Sequence, residues 1–414
     1  MKIFIWLGVV LGLAAVEGVR AAEGWSQWRG ANRDGTVAEA GSWPASLGEG
    51  TLQKVWEVEL AEGYSSPVVG GGKVFSVETR DKKAEIARAF DLGSGAPVWE
   101  LDWEGAMKVP FFAAKNGSWV RATPAAKGGS LYVAGMRDVL VSIDAETGEE
   151  EWRVDFVERE GTQLPSFGYV SSPLVDGNDV YVQAGMAVAK LDRRTGETKW
   201  RALEDRRAMF GSAFSSPVIA TIGGKRQLVV QARMELSGLD LETGKVLWST
   251  EVKAFRGMNI LTPMVIGDEI FTATYGGGSF LFRVSREGDA WSVAPVWNDE
   301  KIEGYMSSPL AIGEHIYLLG RDERLYCLER ATGAVAWKTK EKFGKYLSMV
   351  ANGTRVLALD DEGEMLLFEA SPAGFEVLDR RRVTKEDTWA HVGVEGDLVL
   401  VRGLRSLAAY RWRG

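Results

Sequence analysis

The stretch Asp144-Ala145-Glu146-Thr147-Gly148-Glu149-Glu150-Glu151-Trp152 decides the fold, because the chain repeats it. The phrase Asp-x-x-Thr-Gly-x-x-x-Trp returns at 192–200 and 240–248. Looser copies stand at 91–99, with Ser94-Gly95, and at 329–337, where Glu329 leads Thr332-Gly333. A phrase at a steady period means a repeat architecture, whose units bury their apolar faces against neighbours. Each part has a use. Gly frees the turn to take positive φ, and Asp accepts hydrogen bonds from turn amides. The Trp ring is large and flat, and burying it is worth about 3 kcal/mol.

Working outward, Trp56, Trp99, Trp152, Trp200, Trp248, Trp297 and Trp337 hold one place in successive units, 40 to 53 residues apart. Their regularity assigns them to docking between units. An eighth unit puts Leu378 near that place. Upstream, units begin at Ser66-Pro67, Thr123-Pro124, Ser172-Pro173, Ser216-Pro217, Thr262-Pro263 and Ser308-Pro309, and two without proline begin near Ser348 and His391. Alternating apolar runs follow at 73–77, 130–134, 179–183, 227–231, 269–273, 315–319, 355–359 and 397–401, bounded by Gly-rich turns. No amphipathic helix of ordinary length follows the N-terminal apolar run. The chain is therefore all-β, and four strands per period of 40–50 residues predict propeller blades. Residues 54–60 resemble a last strand lacking three predecessors, and 391–412 supply three strands and no fourth. Joined, they complete an eighth blade and remove the open sheet edges. We expect an eight-bladed β-propeller over 51–414, or seven blades if the unit at 348–382 is not one. Residues 22–50 form an extension packed on it through Trp25, Trp28 and Trp43.

The 414 residues carry a formal charge of −8, which argues against nucleic acid as a partner. Lys2, the apolar run 3–16 and Val19-Arg20-Ala21 predict a signal peptide over 1–21. A retained anchor is the alternative, although Glu17 and Arg20 cut the apolar run short of a bilayer span. The expectation is an exported periplasmic or secreted monomer without a transmembrane span after signal removal. Cys327 is the one cysteine, so no internal disulfide forms and none near the cleavage site takes a lipid. It alternates with Leu325 and reads as a buried apolar thiol. An exported chain without disulfides suits a bacterial periplasm.

The recurring Asp-x-x-Thr-Gly-x-x-x-Trp phrase resembles the tryptophan-docking motif of the PQQ-like (pyrroloquinoline-quinone-type) β-propeller family, over roughly 51–414. That family includes quinoprotein alcohol dehydrogenases and BamB-like proteins of outer-membrane assembly. Trp25–Gly30 and Asn32–Gly35 also resemble the start of exported PQQ-like repeat proteins. The resemblance implies a propeller fold and an envelope compartment, and fold alone does not give catalysis. In the family's dehydrogenases it implies an adjacent Cys-Cys pair over the quinone, a metal held by acidic and amide side chains, and a catalytic Asp. One cysteine cannot make that pair, and no residues match the metal ligands.

Other chemistries find no support. His315 and His391 are the only histidines, too few for a His-rich metal site. Residues 360–364 lack the spacing of a calcium loop and read as a hairpin turn. Gly276-Gly277-Gly278 precedes no helix, so it is a turn and not a phosphate cradle. No metal site and no catalytic residue is assigned. One group stands out. Before the strand starts, where a propeller opens on its axis, lie Tyr64, Trp119, Arg121, Tyr169, Phe214, Asn259, Tyr305, Tyr346, Trp389 and His391. These are the candidates for binding a ligand or partner at the funnel mouth, unless they merely plug it. The expected function is a non-enzymatic scaffold for a protein partner in the cell envelope, without a cofactor. The alternatives are a quinoprotein oxidoreductase using PQQ with calcium, and a sugar- or polymer-binding module.

Overall fold

A computed structural model describes residues 24–37, 43–114, 117–205 and 213–413. The expected signal peptide lies outside these residues. Eight four-stranded antiparallel sheets form a ring. Seven are continuous in sequence, at 68–104, 125–155, 174–202, 218–251, 264–299, 310–338 and 347–382. The unit at 347–382 is thus a full blade. The eighth sheet joins the chain ends: Leu52–Glu59 pairs antiparallel with Ser406–Trp412, which continues through Leu398–Arg402 to Gly393–Glu395. Among the described residues, helix is scarce, with one short α-helix at Phe156–Glu160 and a 3-10 turn at Phe255–Gly257.

The repeated phrase works as a joint between blades. Asp144 Oδ1 accepts from the amides of Glu146 and Thr147, and Asp240 Oδ1 from those of Glu242 and Thr243, closing their turns. Trp99 lies over the next blade's turn, with indole atoms 2.7 Å from where a Cβ on Gly148 would sit, at φ +79°. Gly95, Gly196, Gly244 and Gly333 face Trp56, Trp152, Trp200 and Trp297 in the same way. The indole N–H then donates onward: Trp56 to Leu92 O, Trp99 to Ala145 O, Trp152 to Arg193 O, Trp200 to Leu241 O, Trp297 to Arg330 O and Trp337 to Ser371 O. A register shift in the outermost pair of every blade sits just before this position. Such bulges re-aim a side chain, here toward the next blade.

Two positions differ. Trp248 turns inward and donates to Gln227 Oε1 of its own blade at 2.6 Å, because the next blade has a long hairpin in place of the Thr-Gly turn. In the blade 347–382 the position belongs to Asp379, opposite Leu367, while Leu378 is the bulge residue. Asp379 Oδ2 accepts from Ser46 Oγ and Leu47 N, so the extension caps this joint.

The Ser/Thr starts gain a role the sequence did not disclose. Ser66 N donates to Thr123 Oγ1, Thr123 N to Ser172 Oγ, and Ser172 N to Ser216 Oγ. Thr262 N donates to Ser308 Oγ, and His391 N to Ser66 Oγ. Leu347 N and Val392 N donate to Ser307 Oγ and Ser348 Oγ, which carries the pattern through the blades without proline. Hydroxyls thus stitch neighbouring blades together around the axis.

Candidate functional site

The extension does more than pack on the body: residues 24–37 run through the axial channel. Trp25 O accepts from Val69 N, Ser26 O from Ala126 N, and Gly35 O from Ala351 N. Each of these amides lies on the inner strand of a different blade, so the segment is a strap that satisfies edges the ring leaves open. Arg33 Nη1 and Nη2 donate to Pro173 O and Ser172 O at 2.9 and 3.0 Å. Arg29 Nη2 donates to Asp34 O and Pro309 O. Trp28 Nε1 donates to Thr262 Oγ1 at 2.9 Å.

Above the strap lies a cavity of about 380 Å³. Its floor is Trp28 with Ser172, Ser216, Thr262 and Ser308 of the hydroxyl ring. One wall is a stack: Tyr64 on Trp389 with centroids 5.7 Å apart, and Trp389 on Tyr346 at 6.2 Å. Trp119 meets Tyr64 edge-on. The opposite wall chains Phe112, Phe167 and Phe214 at 6.1 and 5.5 Å, and Phe255, Tyr275 and Tyr305 at 5.3 and 5.5 Å. Phe111 is 90% exposed at the rim, Phe112 57% and Phe255 47%. Cations enter through Arg121, whose Nη2 donates to Gly117 O and whose pKa burial lowers, and through Arg256.

Of the ten sequence candidates, Tyr64, Arg121, Phe214, Tyr305, Tyr346 and Trp389 line this cavity, and Trp119 backs its wall. Three do not. His391 lies beneath the floor, stacked on Trp25 and edge-on to Trp28. Its Nδ1–H faces Val392 O, and burial holds its pKa down to about 3. Asn259 donates to Ala232 O and Arg233 O at 3.1 and 3.0 Å, holding a loop. Tyr169 is buried beside a separate cavity of about 110 Å³ with Asp138 and Gln183. Sequence reasoning missed Phe112, Phe167, Phe255, Tyr275 and the floor Trp28. The pair Phe111-Phe112 was the available signal, being apolar yet in a turn-rich stretch with no strand to bury it.

Among the described residues, no acidic, amide or histidine side chain lines the funnel cavity. Among the described residues, no three His, Cys, Asp or Glu side chains converge to hold a metal. A hard cation needs such oxygen donors, so the calcium-bearing arrangement of the dehydrogenases does not fit these residues. Cys327 is free, and burial raises its pKa. Residues 360–364 form a turn in which Asp360 Oδ1 accepts from the amides of Glu362 and Glu364. No described helix is long and apolar enough to cross a membrane.

Ring, joints and axial funnel define the class: an eight-bladed PQQ-like propeller whose channel is strapped shut. The family model described as outer membrane protein assembly factor BamB matches residues 82–339, and the chain belongs to this family. BamB of Shewanella oneidensis is 22% identical over 386 residues, covering 89% of this chain and 87% of that protein. The crystal structure of BamB from Moraxella catarrhalis superposes with a TM-score of 0.63 at 15% identity, over 87% of this chain and 98% of that one. A quinohemoprotein alcohol dehydrogenase from Pseudomonas putida gives 0.64 at 13% identity, over 94% and 80%. These solved structures speak for the fold alone.

Proposed function

We propose that the protein is an exported, non-enzymatic scaffold of the cell envelope that holds an apolar segment of a protein partner in its axial funnel. The carrying observation is the aromatic rim: Phe112 and Phe255 stand exposed on an aromatic cavity, and the exposed Phe111 packs edge-on against Phe112. Contiguous exposed apolar surface marks interaction sites, and aromatic anchors in pockets carry most binding energy. Membership of the BamB family supports an envelope partner, and the mixed hydroxyl floor gives a bound backbone polar groups to meet. The quinoprotein alternative draws support from the dehydrogenase-like fold, but among the described residues the cavity offers it two guanidiniums and no carboxylate or amide to hold a metal.

The test is capture from envelope extract with wild type and with a Phe111→Ser/Phe112→Ser/Phe255→Ser variant. Loss of a defined partner in the variant, with unchanged melting, is the expected result. Equal capture by both overturns the funnel as the site. Saturable one-to-one binding of PQQ with calcium, followed by titration, overturns the non-enzymatic reading.

A further inference from the structure

We propose that the end of the axial channel opposite the funnel binds a small oxyanion, a carboxylate or phosphate group, between the strap and two blades. A cavity of about 210 Å³ lies there, lined by Arg29, Arg33 and Asp34 of the strap and by the inner strands at 218–221 and 263–267. Thr221 and Gly267 adjoin the turns at the far ends of those strands from the Ser/Thr-Pro starts, which sets this cavity on the other side of the strap from the funnel.

The charge arrangement is the first argument. Arg29 and Arg33 are 1% and 3% exposed. Among the described residues neither has a carboxylate within ion-pair distance. Asp34, which acts on Arg29 from a distance, spends Oδ1 on Thr36 N and Oγ1. Their Nη groups reach carbonyls, but the Nε of each is buried with no acceptor. Burial lowers the two pKa values to about 10 and 9. A buried cation without a counter-ion is costly, and guanidinium N–H groups match carboxylate and phosphate oxygens.

The second argument is the gap in the strap's pairing. Val69, Ala126 and Ala351 each stand three residues after the Ser or Thr of their start (Ser66, Thr123 and Ser348), and their amides are taken by strap carbonyls. Ile219 and Val265 hold the same position in their blades and line the cavity instead. Backbone amides aimed at a concavity beside guanidinium groups are a recurrent anion site.

The experiment is calorimetric titration of the purified protein with inorganic phosphate, and separately with acetate, at constant ionic strength and pH 7. Three variants accompany it. Arg33→Ala removes a donor and is informative only where its melting matches wild type. Thr221→Glu puts a carboxylate at the exposed cavity mouth while leaving every strap hydrogen bond in place. Arg121→Ala removes the cation of the other cavity. The expected result is saturable one-site binding of at least one anion with Kd of about 1 mM or tighter. Thr221→Glu weakens it at least tenfold, and Arg121→Ala leaves it unchanged. Phosphate alone assigns the site to phosphate groups, and acetate alone to carboxylates. No saturable binding, or loss in Arg121→Ala with retention in Thr221→Glu, overturns the proposal.

Discussion

At Gly148 one residue meets two demands. Its φ of +79° is strained for any L side chain, and the Trp99 ring occupies the space a Cβ would fill. The left-handed backbone costs about 1–2 kcal/mol and overpacking about 1–3. Gly148→Ala is therefore expected to destabilise by about 2–5 kcal/mol, read as a lower urea midpoint with unchanged slope. This pairing was legible as a motif, since Gly and Trp stand at fixed spacing in several units. Which Trp meets which Gly was not legible, because the partner lies in the next blade. The buried titratable groups make a second residue-scale prediction. Burial, with Arg29 nearby, keeps His391 near pKa 3, against 6.5 when unfolded. The unfolded chain thus takes up the extra proton, and this group's contribution is lost as pH falls from about 6.5 toward 3. Glu85 and Asp138 act oppositely. Burial pushes both up to about 7, from 4.5 and 3.8, so the folded chain holds protons that the unfolded chain has released. Their contribution is present below about pH 4 and lost as pH rises through 7. Glu85 accepts from Trp103 Nε1 and Met136 N, and Gln in its place does not ionise. Denaturant titrations should show wild type losing on the order of 2–3 kcal/mol relative to Glu85→Gln between pH 5 and 8. A gap constant with pH would contradict this.

At the scale of elements, the strands announced themselves. The run at 73–77 becomes Lys73–Arg80, and that at 315–319 becomes His315–Leu319. Alternating β-branched and aromatic residues between Gly turns leave little freedom. The strap did not announce itself, because its arginines bind backbone carbonyls, which every residue carries. Nothing in Arg33 names Pro173 or Ser172 as its acceptors. The same holds for the hydroxyl ring: Ser and Thr before Pro looked like strand-start chemistry, and their acceptor role appears only once eight starts converge. Asp379 shows a related limit. Counting from neighbouring units pointed to Leu378, but a one-residue bulge shifts the docking position by one. Arg33→Gln should leave the carbonyls of Ser172 and Pro173 short of donors. An expected loss of about 2–4 kcal/mol follows from breaking buried, charge-assisted hydrogen bonds. Thermal unfolding by circular dichroism measures it, and a change below about 0.5 kcal/mol would mean the strap contributes nothing there.

For the whole molecule, closure is the governing feature. Leu52–Glu59 supplies the outermost strand of the blade that also holds the last three strands, so ring and chain ends depend on each other. Removing 52–59 would expose the Ser406–Trp412 edge, a template for association. Loss of a single cooperative transition, with light scattering on heating, is the expected outcome. Closure was legible from the complementary ends of the sequence. The funnel was legible in part: Tyr64, Arg121 and Trp389 follow from their place before strand starts, whereas Phe112, Phe167 and Phe255 come from longer connections whose course no periodicity fixes. The strap then divides the axis into an aromatic cavity and a cationic one, and in the proposed function the aromatic cavity faces a partner. Photo-crosslinking in living cells tests this most directly. A photoreactive residue is placed at Phe112, at Phe255, and at Lys199 on an outer strand. One discrete adduct shared by the two funnel positions and absent at Lys199 is the expected result. An adduct from Lys199 with none from the funnel would contradict it.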